Sequence, residues 1–165
     1  MHAGTGAAIV HTLKYSGWHA VAAEMADRMM RLAWPADVVE ERAAVVPVPL
    51  SAERERERGF NQSHRIARAL GERWRIPVWS NVLERTRMTQ TQTRLTPEER
   101  LANVSGAFRV RDDSRSLLRG AHVVLLDDVV TTAATLNACA AALYAGGARI
   151  LSYVTFGRAP AAGDR

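Results

Sequence analysis

The apolar run VVLL at residues 123–126 ends directly in two adjacent carboxylates, Asp127 and Asp128. A strand without alternating polar positions has two faces to bury, which places it inside a sheet covered by helices on both sides. The acids then fall at the carboxyl end of an interior strand. Two neighbouring carboxylates repel each other, so this position calls for something that offsets or uses the pair.

The rest of the chain fits such a sheet. Residues 9–32 carry apolar side chains (Leu13, Val21, Met25, Met29, Leu32) at helical spacing, interrupted at Tyr15, Ser16 and Gly17, and predict two short helices with a bend. Trp34 and Pro35 end that region, and residues 43–48 predict a buried strand. SAERERERGF alternates acid and base, has no apolar face to bury, and reads as a mobile loop closing at Gly59. A helix over 61–70 and a short strand over 77–83 follow. Thr96, Pro97 and Glu99 form a capping box that opens a short helix to about residue 103. Strands over 108–110 and 122–126, a helix over 132–144 stopped by Gly146 and Gly147, and a strand over 150–156 complete the chain. Alternating strands and helices of this kind give an α/β fold, with a mostly parallel twisted sheet and helices on both faces.

At 165 residues the chain has room for one ordinary domain, and 47% apolar with 24% charged residues is the composition of a globular protein. No apolar run approaches the roughly 18 residues of a membrane span, and the N-terminus lacks the pattern of a secretory leader, so no membrane contact and a cytoplasmic location are expected. The single cysteine, Cys139, excludes an internal disulfide and a multi-cysteine zinc site, and its alanine-rich surroundings read as helix packing. The formal charge of +5 favours an anionic partner. Direct nucleic-acid binding is not the preferred reading: of 22 basic residues only Lys14 is lysine, the arginines are interleaved with acids, and no aromatic platform accompanies them.

Beyond the acids, Thr131, Thr132, Ala133, Ala134 and Thr135 form a strand-to-helix turn offering consecutive backbone N–H groups, three hydroxyls and the positive end of a helix dipole, a good seat for phosphate. Beside a phosphate, paired carboxylates can accept hydrogen bonds from vicinal hydroxyls such as those of a ribose. A ribose 5-phosphate satisfies both halves. Competing readings fail on their own requirements: a P-loop ATPase needs GxxxxGK[ST], which Lys14 does not supply, and Gly4-Thr5-Gly6 lacks the third glycine and preceding strand of a dinucleotide fingerprint. An acid that merely caps the next helix would not need a twin.

VVLLDDVVTTAAT resembles the phosphoribosyl pyrophosphate (PRPP) signature of type I phosphoribosyltransferases. LKYSG from Leu13, VPVPLSAERERERGFNQS from Val46, RMTQTQTRLTPEERLANVSGAF from Arg87 and the terminal strand near Arg158 resemble, in that order, the ComF-like branch of that family. The resemblance implies one domain over 1–165, with a helical hood over 1–35 and a PRPP-binding core over 36–160. It implies a pyrophosphate loop from Val46 to Leu50, with Val48 and Pro49 as its substrate-binding residues, and a flexible loop carrying Arg54, Arg56 and Arg58. Asp127, Asp128 and Arg58 become the catalytic candidates. Asn61, Gln62, Arg87 and Gln90 join the phosphate turn as substrate-binding residues, and Gln92 and Arg94 join Gln90 on the acceptor side. Mg²⁺ would arrive with PRPP, held mainly by substrate oxygens, and the acceptor is a nitrogen nucleophile of unknown identity. A competence or DNA-uptake accessory that senses PRPP without turnover is the alternative, and a homodimer is compatible with either.

Ala133 stands where the family usually has glycine. Alanine disfavours positive φ, so the turn is expected either to take an ordinary conformation or to bind phosphate less well. Many ComF-like proteins begin with a cysteine-rich zinc-binding segment, and this sequence starts about where that segment would end, so no zinc ribbon is expected. His64 reads as a helix-surface residue more than a general base.

Overall fold

The computed structural model describes residues 19–86, 106–130 and 133–159. Three parallel strands, β1 (Arg42–Pro47), β4 (His122–Val130) and β5 (Ile150–Arg158), form the central sheet in the order β1-β4-β5. On the far side of β1 the chain returns as a single parallel bridge at Val78. There the Val45 N–H donates to the Pro77 carbonyl and the Trp79 N–H to the Val45 carbonyl, each at 3.0 Å. Two short strands, β2 (Leu83–Arg85) and β3 (Phe108–Val110), pair antiparallel as a separate ribbon. Expected as one strand, residues 77–83 therefore split: Val78 serves the main sheet and Leu83 opens the ribbon, because Ser80 and Asn81 turn the chain between them.

Helices α1 (His19–Met30), α2 (Ala36–Glu41), α3 (Ala52–Arg58), α4 (Gln62–Trp74), α5 (Arg115–Leu118) and α6 (Ala134–Ala145) complete the described elements, with a 3-10 turn at Asp112–Ser114. Buried on α1 are Ala22, Met25, Ala26 and Met29, the i, i+3, i+4, i+7 stripe of a helix laid on a core. They meet Ile66, Ala67 and Leu70 of α4 and the sheet residues Val45, Val124, Leu126 and Val154. The opposite sheet face, Val46, Val123 and Leu125, packs against Leu136, Cys139 and Leu143 of α6 and against Leu83, Phe108 and Val110 of the ribbon. Burial on both sides explains the unbroken apolar run of β4, each large side chain contributing about 1.5–3 kcal/mol. Of the expected N-terminal hood, α1 lies on the α4 side of the sheet; residues 1–18, with the predicted bend and first helix, fall outside the described residues, as does the helix predicted from Thr96.

Several boundaries move outward. β4 continues to Val130 and β5 to Arg158 because the two strands keep pairing, Asp127 opposite Thr155 and Val130 opposite Arg158. α4 runs on to Trp74 and stops where Arg75 turns into the left-handed region at φ 56°.

The reading of SAERERERGF as a loop is corrected. Ala52–Arg58 is helical although no residue on it is buried. Its ends supply the reason: the Ser51 hydroxyl accepts from the Arg54 N–H at 3.3 Å, and Gly59, at φ 74°, returns its N–H to the Glu55 carbonyl at 2.8 Å. Glu53 and Glu55 in the first turn, with Arg56 and Arg58 in the last, also match the helix dipole. No helix among the described residues is long and apolar enough to cross a membrane.

Candidate functional site

After β1 the chain crosses through α4 to Val78 on one side of the strand, whereas β4 pairs on the other side. α4 covers one face and α6 the opposite one, so the winding reverses between β1 and β4. In open α/β sheets that reversal opens a crevice at the carboxyl ends of the two strands. β1 stops at Pro47, level with Leu126, and its last tie to β4 is the Val48 N–H on the Leu126 carbonyl at 2.9 Å. From Asp127 onward β4 has β5 as its only strand neighbour among the described residues. The acid pair thus stands where the sheet opens.

Asp127 Oδ1 accepts from the Ser63 hydroxyl at 2.9 Å and from the Asp128 N–H at 3.0 Å, and Asp128 Oδ1 accepts from the Val129 N–H at 2.8 Å. Burial, reinforced by the neighbouring charge of Asp128, pushes the Asp127 carboxyl up to about 8, while the Ser63 and backbone donors pull the other way. Asp127 therefore keeps its proton at neutral pH, which relieves the repulsion that the adjacent acids would otherwise suffer. Arg85, on β2, is placed within electrostatic reach of Asp127 and Arg54; burial first, then Arg54, hold its guanidinium below its ordinary range. The same guanidinium lies 5.3 Å over the Phe108 ring.

The first residues of α4 bind the crevice wall together. Asn61 Nδ2 donates to the Val48 carbonyl at 2.9 Å, and Asn61 Oδ1 caps the His64 N–H at 3.3 Å. Val48 is buried with both backbone groups engaged, which leaves Pro49 and Leu50 as the half-exposed part of that loop. Gln62, only 1% exposed, accepts from Arg58 Nη1 at 3.3 Å, while its Nε2 has no partner among the described residues. Of the three arginines on α3, the resemblance singled out Arg58, and the helix sets Arg54 beside it and Arg56 apart. Arg54 and Arg58, one turn apart, are half-buried, whereas Arg56 is exposed and folds back on the Ala52 carbonyl.

Ala133 precedes α6 at φ 58° and ψ 6°, so the expectation of an ordinary conformation is corrected: alanine occupies the left-handed geometry that glycine would favour. The α6 ladder holds it there, the Asn137 N–H bonding the Ala133 carbonyl at 2.8 Å. Ala134 is buried and Thr135 half-buried behind it. Thr131, Thr132, Arg87, Gln90, Gln92 and Arg94 lie outside the described residues. Segment 87–105 joins β2 to β3, and its ends are held together by the Thr86 N–H on the Ala107 carbonyl at 2.9 Å. Cys139 is buried in α6 and its thiol is pushed well up by that burial. His64 is half-buried on α4, its imidazole held low by burial and by Arg68. It lines two surface grooves, one of about 560 Å³ between α4 and the returning chain at Ile76 and Val78 and one of about 510 Å³ between α4 and α1, neither bordered by the acid pair.

Ser63 and Arg85 were not singled out from the sequence. A serine in the first turn of a helix ordinarily signals capping, and an arginine next to a polar turn ordinarily signals solvent. Only the crossing of α4 over β4, and the antiparallel ribbon, bring the two side chains to Asp127.

A family model described as the phosphoribosyl transferase domain matches residues 57–164. The chain belongs to the phosphoribosyltransferase domain family. Its ComF-like resemblance is borne out by relatives. The DNA utilization protein YhgH of Escherichia coli K12 is 34% identical over 149 residues, covering 85% of this chain and 61% of that protein. Competence protein F of Haemophilus influenzae is 36% identical over 94 residues, 57% of this chain and 41% of the relative. The chain thus spans about 61% of the length of relatives such as YhgH. Among solved structures, the glutamine PRPP amidotransferase of B. subtilis complexed with ADP and GMP superposes with a TM-score of 0.55 at 18% identity, covering 84% of this chain and 26% of that one. That likeness establishes the type I fold.

Proposed function

We propose that this protein binds PRPP at the carboxyl ends of β1 and β4 and transfers its ribose 5-phosphate to a nitrogen nucleophile, releasing pyrophosphate. One observation carries the reading: the acid pair stands on β4 just past the end of β1, at the winding reversal, and the chain then enters, at a left-handed Ala133, the N-terminus of a 12-residue helix. The turn and helix end suit the 5-phosphate, and the acids suit the ribose diol. We take the chain as one domain, 1–165, acting in the cytoplasm, with homodimer formation open to it.

Displacing pyrophosphate from C1 of the sugar builds positive charge on the ring and negative charge on the leaving group. Arg54 and Arg58, the two half-buried arginines of α3, can meet the leaving group, and Asp127 with Asp128 hold the ribose hydroxyls. Pro49 and Leu50 present the loop at the end of β1 to the same oxygens. An acidic oxygen such as that of Asp128 is a hard donor of the kind Mg²⁺ takes, and a single one leaves its coordination mainly to the substrate and water. Mg²⁺ bound with PRPP would share the leaving-group charge. Turnover calls for a closed site, since water would otherwise hydrolyse the activated sugar.

The names of the relatives, a competence protein and DNA utilization proteins, favour a second reading: a PRPP-sensing accessory of DNA uptake that uses the pocket without turnover. Calorimetric titration of PRPP with Mg²⁺ into the protein, and into Asp127→Asn and Asp128→Asn, tests what both share. Binding lost in both variants supports the site; no binding to the unmodified protein removes it. A screen of nitrogen acceptors for pyrophosphate release then separates the two, release favouring transfer and its absence despite binding favouring the sensor.

A further inference from the structure

Three consecutive residues at the start of α4 each hold a different part of the crevice: Asn61 the Val48 carbonyl, Gln62 the Arg58 guanidinium and Ser63 the Asp127 carboxyl. The third contact is the one that reaches an acid. Ser63 is 4% exposed, so its hydroxyl has left water, and Asp127 is the partner that compensates. Asp127 Oδ1 takes two donors, Ser63 Oγ at 2.9 Å and the Asp128 N–H at 3.0 Å. A carboxyl oxygen has two lone-pair directions, so Oδ1 is filled among the described residues, and the remaining capacity lies on Oδ2, with the Asp128 side chain as its neighbour.

We propose that Ser63 is a positioning residue for sugar recognition: its hydroxyl occupies Oδ1 of Asp127 and locks the carboxyl rotation so that Oδ2 is the oxygen offered to a ribose hydroxyl. This rests on the PRPP reading above. Asn61 and Gln62 fall into the same class, holding the backbone loop and an arginine in place instead of touching substrate. A serine is suited to the task because it is short, neutral and fixed to the first turn of a long helix. It can fill an acceptor without adding a charge that would compete with the substrate.

The test compares the unmodified protein with Ser63→Ala and Ser63→Thr, measuring the affinity for PRPP with Mg²⁺ and determining ligand-free crystal structures that show the orientation of the Asp127 carboxyl. The expected result is affinity roughly tenfold weaker in Ser63→Ala, with the carboxyl turned or split between orientations. Both properties return in Ser63→Thr, which keeps the hydroxyl. Equal affinity in Ser63→Ala, or a carboxyl that has not moved, would overturn the inference. Should the unmodified protein bind no PRPP, the functional reading falls by itself, and the structures still decide the role of Ser63: a reoriented carboxyl in Ser63→Ala supports the lock, and an unmoved one refutes it.

Discussion

Replacing Ala133 by glycine should make this protein more stable. Ala133 sits at φ 58° and ψ 6°, where the Cβ of an L-residue crowds the following carbonyl at a cost of roughly 1–2 kcal/mol. Glycine removes that cost but gives up about 0.5–1 kcal/mol through the greater freedom of its unfolded chain. The balance is a gain of about 0.5–1 kcal/mol. For a chain of this length 1 kcal/mol moves Tm by about 2–4 °C, so thermal unfolding followed by circular dichroism should rise by about 1–4 °C. Ala133→Val reverses the sign, because a β-branched side chain fits the left-handed region worse than alanine. The same pair should bracket PRPP affinity, since the turn must present N–H groups to a phosphate at close range. A glycine variant that melts at or below the temperature of the parent would refute the argument that this position is strained, and with it the idea that the turn keeps its geometry despite alanine.

Other outcomes follow from the packing and from the buried acid. Between roughly pH 4 and 8 folded Asp127 holds a proton that the unfolded chain releases, because its folded value is about 8 against an ordinary value near 3.9. Stability should therefore fall as pH rises through that window, by at most about 1.4 kcal/mol per unit, and urea unfolding of Asp127→Asn should show a flatter profile; parallel profiles would contradict it. Gly71→Ala ought to destabilise although alanine is the better helix former, since a Cβ there would lie 2.7 Å from Val78 Cγ2 and 3.0 Å from the Ile76 carbonyl. A loss of about 1–3 kcal/mol is expected in denaturant titration, and a gain would mean that the helix can shift away from the returning chain. Met25→Ala, in the stripe that joins α1 to α4, should cost about 2–5 kcal/mol of unfolding free energy. A loss below 1 kcal/mol would show that α1 adds little to the core.

Much of this protein was legible in its sequence because the signals were local. VVLL with no polar alternation declared a strand buried on both faces, and it is one. Asp127 and Asp128 at the end of that strand, followed by a turn and a small-residue helix, were readable as a ligand motif because strand, turn and helix are contiguous in the chain. Gly146 after α6 marked a helix end on the same local grounds. What misled was also local: alternating charges hid α3, whose Ser51 cap and left-handed Gly59 close the helix without any buried face. Tertiary structure alone decided the rest. Pairing with β5 carried β4 through both acids to Val130, and the winding reversal opened the sheet beside them. Ser63 meets Asp127 across 64 positions of sequence, and Arg85 comes near it only because β2 leaves the main sheet to pair with β3. Residue order along a chain specifies who neighbours whom on a helix or strand. The burial that lifts Asp127 to about 8 is instead a sum over elements that meet only when the chain has packed.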